Sequence, residues 1–134
     1  MPTGSIKRGF GFNRVKNIMV SSSPEFMEDN VSTNQKLTFV FKNVISFKNT
    51  KNRKIRLQKY GNPKILWTKD FNENSIFEGQ KKIIFTDFPT LEPNTHYYIT
   101  WDSNWVKINQ NGNLTPIQPV RESAFAYRFK TRSK

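Results

Sequence analysis

Cysteine is absent from the chain, which excludes both a disulfide framework and a cysteine-ligated metal site. At 134 residues the chain should bury roughly two thirds of its unfolded surface, so a hydrophobic core alone can hold a single domain. Histidine is nearly absent too: His96 stands alone, between Thr95 and Tyr97. A hydrolytic triad needs a histidine beside a nucleophile, and zinc needs about three protein ligands; no motif near His96 supplies either. His96 reads instead as a partly exposed strand residue on the face opposite Tyr97. No carboxylate pair is singled out for glycoside cleavage. The expectation is a chain that is not an enzyme and carries no cofactor or metal.

Long apolar runs are missing as well. Nothing approaches the roughly 20 residues of a membrane span. The segment after Met1 has no apolar signal core, so with Met1 as native start the chain is expected to stay off the general secretory route. Acidic residues are few, with 10 Asp and Glu against 22 Lys and Arg, a net charge of +12. Such a field favours an acidic partner: nucleic acid, a phosphorylated glycan, an anionic membrane face or an acidic protein. Lys and Asn beside Phe and Ile also arise from A- and T-rich coding, with lysine as the default solvated residue. Both origins of the charge stay open.

What the chain has in quantity is aromatic side chains, 12 Phe, 4 Tyr and 3 Trp, which suit a sheet interior. In 37–41, Leu37, Phe39 and Phe41 alternate with Thr38 and Val40, the period of a half-buried strand. Ile18-Met19-Val20 begins an earlier strand, broken by Ser21-Ser22-Ser23-Pro24, with Glu25, Glu28 and Asp29 in the loop beyond. Further short strands read at Ile55–Leu57, Ile65–Trp67, Ile76–Phe77, Lys82–Thr86 and Ala124–Lys130. No segment of about ten residues keeps a helical period. Asn109 to Asn113 has the oxygen spacing of a calcium loop without the charge, and reads as a hairpin or sheet-connecting turn.

The organising stretch is Leu91 to Trp101. Pro93-Asn94 favours a turn, and Tyr97, Ile99 and Trp101 then share one strand face. A tyrosine just past such a corner can bury its ring while its hydroxyl reaches back upstream, the tyrosine corner of Greek-key sandwiches. The expected fold is all-β: a Greek-key β-sandwich of about seven or eight strands over residues 17–134, preceded by a flexible basic arm over residues 1–16.

Ser23-Pro24, Leu37-x-Phe39-x-Phe41, Leu91-x-Pro93-x-Thr95-x-Tyr97, Asn111-Gly112-Asn113 and Phe129-Lys130-Thr131 follow one another along the chain. In that order, over about residues 18–131, the chain resembles bacterial S-layer-type immunoglobulin-like domains, which implies an immunoglobulin-like Greek-key β-sandwich. Asn109 replaces the Asp usual before the Gly-Asn turn, and Trp105–Ile108 lengthens a connection. Fibronectin type III is the near alternative, without its usual second-strand tryptophan. The resemblance implies a spacer, an adhesive module or an assembly unit of a larger surface structure.

Two sets of residues are candidates for contact. The arm offers Lys7, Arg8, Phe10, Phe12 and Arg14; its Lys7–Phe12 stretch resembles the RNP1 motif of RNA-recognition domains but lacks the strand context that motif needs. The loop from 48 to 56 offers Lys48, Lys51, Arg53, Lys54 and Arg56, with nothing apolar between Lys48 and Lys54. The leading expectation is a virion component, a phage tail, baseplate or capsid-associated protein, whose arm lies on an acidic structural neighbour. A bacterial cell-surface setting is the alternative. The rival functions are nucleic-acid binding through the arm and the 48–56 loop, and glycan binding through exposed aromatics such as Tyr60, Trp67 or Trp105.

Overall fold

The computed structural model describes residues 15, 17–48, 50, 52–70, 76–120 and 127–133. These form ten strands: β1 (Met19–Ser23), β2 (Leu37–Phe41), β3 (Ile45–Ser46), β4 (Lys54–Lys59), β5 (Ile65–Asp70), β6 (Lys82–Phe85), β7 (His96–Trp101), β8 (Lys107–Gln110), β9 (Asn113–Pro116) and β10 (Tyr127–Lys130). One sheet runs β1-β2-β6, the opposing sheet β10-β7-β4-β5, and a small third sheet β3-β8-β9, with all strand pairs antiparallel. The chain changes sheet between β2 and β4, between β5 and β6, and again between β6 and β7.

Alternation explains why the two large sheets meet. Leu37, Phe39 and Phe41 are buried while Thr38 and Val40 are half-buried, so β2 turns one apolar face inward. From the other sheet come Ile55, Leu57, Tyr97, Ile99, Trp101, Tyr127 and Phe129, all buried. Phe39 is the meeting point, with its ring 5.5 Å from Trp101 across the layers and 5.7 Å from Phe85 beside it, both edge-to-face. Tyr127 stacks on Phe26 at 4.0 Å, and its hydroxyl donates to the Pro24 carbonyl, so the loop after β1 is drawn under the sandwich. In constant-type immunoglobulin domains the fourth strand joins the first strand's sheet. Here β5 stays beside β4, leaving three strands against four.

The two facing sheets hold seven strands, as expected of the sandwich. Three more arise because the connection after β7 is itself structured: β8 and β9 form a hairpin, and β3 pairs with it through Ile45 and Ile108. That hairpin covers Trp105, Val106 and Ile108, all fully buried, which explains its apolar content. Three other sequence expectations are corrected, on β1, on Ile76–Phe77 and on the exposed aromatics. Strand β1 is not broken by its serines, because ladder hydrogen bonds use the backbone; Ser22 pairs with Phe39 and Ser23 with Thr38. Ile76 and Phe77 lie in a turn, not a strand. Trp105 is wholly buried and Trp67 packs edge-on against Phe85 and Phe88, so of the three aromatics offered for glycan contact Tyr60 alone is well exposed.

At the N-terminal side, Val15 is fully buried in the core, so the packed domain reaches back at least that far. The arm residues Lys7, Arg8, Phe10, Phe12 and Arg14, and the residues Ala124–Ala126 expected in the last strand, lie outside the described residues.

Candidate functional site

Three places bear on function: the corner that joins the sheets, the loop end beyond it, and the outer face of the four-stranded sheet. At the corner, Asn94 takes a positive φ of 52°, which asparagine tolerates. The buried Tyr97 receives the Glu92 backbone N–H on its hydroxyl at 2.8 Å and stacks on Phe129 at 5.6 Å. Leu91 is buried beneath and Pro93 lies in the exposed turn. Thr131 latches the corner: its hydroxyl donates to the Glu92 carbonyl at 2.6 Å and accepts the Thr95 N–H at 2.9 Å. Burial pushes the Tyr97 hydroxyl above its usual pKa, and the Glu92 side chain, hydrogen-bonded to Lys59 at 2.9 Å, raises that amine.

The corner is scaffold, not chemistry. Tyr97→Phe is expected to cost about 1–3 kcal/mol, because the Glu92 N–H loses its buried partner while the ring contacts survive. Chemical denaturation checks this, and a loss within error of zero would mean that the hydroxyl anchors nothing.

At the loop end, the connection after β2 and the hairpin after β7 come together, as loops do at the ends of such sandwiches. The hairpin turn is Asn111-Gly112, with φ of 56° and 89°; both central residues need the left-handed region, which suits Asn-Gly. Gly112 N–H donates to Asn109 Oδ1 at 2.9 Å. Lys107 on β8 donates to the Lys48 carbonyl at 2.7 Å, and its pKa is lowered by burial and then by the charge of nearby Arg53. Lys48, Arg53 and Lys107 thus form a basic end. Lys107 escaped the sequence reading because it lies on β8, 59 positions from Lys48.

The basic stretch is not a uniformly solvated loop. Thr50 is buried with its hydroxyl on the Phe47 carbonyl at 2.7 Å, and Lys54 already belongs to β4. Lys54 lies 3.8 Å from Asp70, and Arg56 lies 3.0 Å from Asp102. Asp102 also receives the Lys54 N–H at 3.0 Å and returns its own N–H to the Lys54 carbonyl, so it ties β4 to the end of β7. Lys48 and Arg53 are exposed, whereas Lys51 lies outside the described residues.

On the four-stranded sheet, Ile55 and Leu57 point inward, so Arg56 and Gln58 project from the outer face, beside their partners Thr100 and Tyr98 on β7. An open cleft of about 480 Å³ lies over this row, bordered by Arg53, Arg56, Ile65, Asp102, Ser103 and Val120. Further along the face, Tyr60 lies 5.2 Å from the Tyr98 ring with the Arg128 guanidinium 5.8 Å from its centroid, and exposed His96 sits nearby. Among the described residues no three His, Cys, Asp or Glu side chains gather as metal ligands would. Nor is any helix there long and apolar enough to cross a membrane.

Two facing antiparallel sheets, pinned by a tyrosine whose hydroxyl binds the chain five positions upstream, define an immunoglobulin-like β-sandwich. A family model described as a bacterial Ig-like domain matches residues 15–131, and the chain belongs to that family. Comparison with curated proteins and with solved structures gives no match.

Proposed function

We propose that the chain is a non-catalytic structural or adhesive module of a larger bacterial surface assembly, meeting an acidic neighbour with its basic end and with the basic segment before Val15. The observation that carries this reading is the gathering of Lys48 and Arg53, from the connection before β4, with Lys107 of β8 at one end of the sandwich. A concentrated field of one sign steers and orients an acidic protein surface. Lys7, Arg8, Phe10, Phe12 and Arg14 extend the same chemistry, adding apolar burial to charge. Family membership supports a bacterial surface setting and lends none to a virion. The S-layer-type character suggested by the motif order is the finer part of this proposal.

Nucleic acid suits the basic end less well. Lys54 and Arg56 are already paired with Asp70 and Asp102, which among the described residues of the 48–56 stretch leaves Lys48 and Arg53, short of the roughly six phosphate contacts that make binding collapse with salt.

The test removes residues 1–14 and keeps buried Val15. The truncated chain should lose incorporation into its native assembly while its thermal melt stays nearly unchanged. Normal incorporation would refute the role of the segment, and a collapsed melt would show that the segment belongs to the fold.

A further inference from the structure

We infer that the cleft on the outer face of the four-stranded sheet binds an acidic saccharide, one or two hexuronic-acid residues, with Gln58 and Thr100 as its floor and Arg53 as its charge. This goes beyond the assembly role above and does not depend on the residues before Val15.

The floor is the unusual feature. Gln58 and Thr100 point away from the core, yet they are only 9% and 7% exposed. Their hydrogen bonding is incomplete: Gln58 Nε2 donates to the Pro63 carbonyl at 3.2 Å, and Thr100 Oγ1 reaches Gln58 Oε1 at 3.5 Å, the far limit for such a bond. Both oxygens therefore have acceptor capacity facing the cleft. Ligand hydroxyl groups would supply the missing donors.

The walls narrow the choice of ligand. Ile65, Pro119 and Val120 give an apolar side suited to the C–H face of a sugar ring, and Ser103 adds a hydroxyl that can donate or accept. The volume of about 480 Å³ lies within the range of roughly 300–1,000 Å³ usual for small-molecule sites. Arg56 and Asp102 largely cancel, being 3.0 Å apart, so Arg53 leaves the cleft with a net positive charge. A purely apolar ligand would strand the polar floor. Inorganic phosphate could take the charge of Arg53 but, lacking a ring with hydroxyl groups, would leave the acceptors of the floor and the apolar side unused. A carboxylate on a polyhydroxylated ring satisfies both sets, placing its charge at Arg53 and its hydroxyls at Gln58, Thr100 and Ser103.

The experiment is an NMR titration of the full chain with digalacturonate, maltose and acetate at matched ionic strength. Digalacturonate should shift the amides of Gln58, Thr100, Ser103 and Val120 saturably, maltose more weakly, and acetate not at all. Arg53→Gln, a change at an exposed side chain, should weaken digalacturonate by about tenfold, the loss of one charge-assisted hydrogen bond. Thr100→Val keeps the branched shape and should weaken all saccharide binding with Arg53 still present. Equal shifts with acetate, equal affinity for maltose, shifts confined to Lys48 and Lys107, or no shifts would each overturn the assignment. Saccharide binding is read from amide shifts of the full chain and the assembly role from incorporation, so failure here and failure of the assembly role are separable.

Discussion

Phe39→Ala is expected to remove about 3–5 kcal/mol, a large part of the roughly 5–15 kcal/mol that holds a domain of this size. Phe39 is fully buried on the middle strand of its sheet, pairing with Ser22 on one side and Ile83 on the other. Its ring lies 5.5 to 6.3 Å from those of Phe41, Phe85, Trp101, Trp105 and Tyr127, which come from both large sheets and from the hairpin end. Alanine would leave a cavity that no single neighbour can fill without drawing the sheets together, so the cost should fall in the upper range for aromatic truncation. The melting temperature should drop on the order of 10–20 °C. Urea unfolding gives the free energy directly, and an unchanged slope would show that the denatured state is the same. A loss below about 1 kcal/mol would mean that the two sheets do not close over Phe39, and the sandwich as drawn would be wrong.

The same residue shows which parts of the fold can be read from the chain. In β2 one sheet face is buried against the other layer, so apolar residues recur at alternate positions and the pattern survives in sequence; in β7 Tyr97, Ile99 and Trp101 keep that period although outward Tyr98 and Thr100 are buried too. The corner was legible for a local reason: Pro93, Asn94 and Tyr97 act within a few residues of one another. Strand β1 was legible only to Val20, because its serines hold the ladder through backbone groups that any residue supplies. The third sheet was hidden by distance. Ile45 and Ile108 pair across the fold, and β3 spans only Ile45–Ser46, too short to show a period.

The candidate sites divide in the same way. The cations of 48–56 were visible as composition, but which of them are neutralised depends on Asp70 and Asp102, which lie on β5 and just beyond β7. Gln58 and Thr100 carry no local signal at all. Each is an ordinary outward-facing strand residue until β4 and β7 lie side by side and the segment through Val120 bridges to Trp101. What a sequence can offer there is the strand assignment, from which register follows only once pairing is known.

Alkaline unfolding should be steep, and Tyr127 should be its main cause. Burial pushes the Tyr127 hydroxyl far above the ordinary tyrosine value of 10.0, and burial moves buried Tyr97 the same way. A tyrosine is neutral when protonated. Above pH 10 the unfolded chain therefore releases these protons while the folded chain keeps them, and stability falls as pH rises; below pH 10 both states hold the proton and nothing is lost. Tyr127 alone contributes a slope of about 1.4 kcal/mol per pH unit, so it should remove roughly 2 kcal/mol over one and a half units, with Tyr97 acting in the same direction. The lysines oppose each other. Lys59, raised by its hydrogen bond to Glu92, loses its contribution as pH climbs from 10.5 through its folded value, whereas lowered Lys107 is relieved of its penalty earlier, as pH climbs from its folded value to 10.5. Urea midpoints measured from pH 8 to pH 11.5 on the native chain and on Tyr127→Phe separate the effects. The variant should be less stable at pH 8, because the Pro24 carbonyl loses its donor, yet its alkaline slope should be shallower by about one proton. Parallel slopes for the two chains would mean that Tyr127 ionises as readily folded as unfolded, which a hydroxyl enclosed beneath Phe26 and Trp101 could not do.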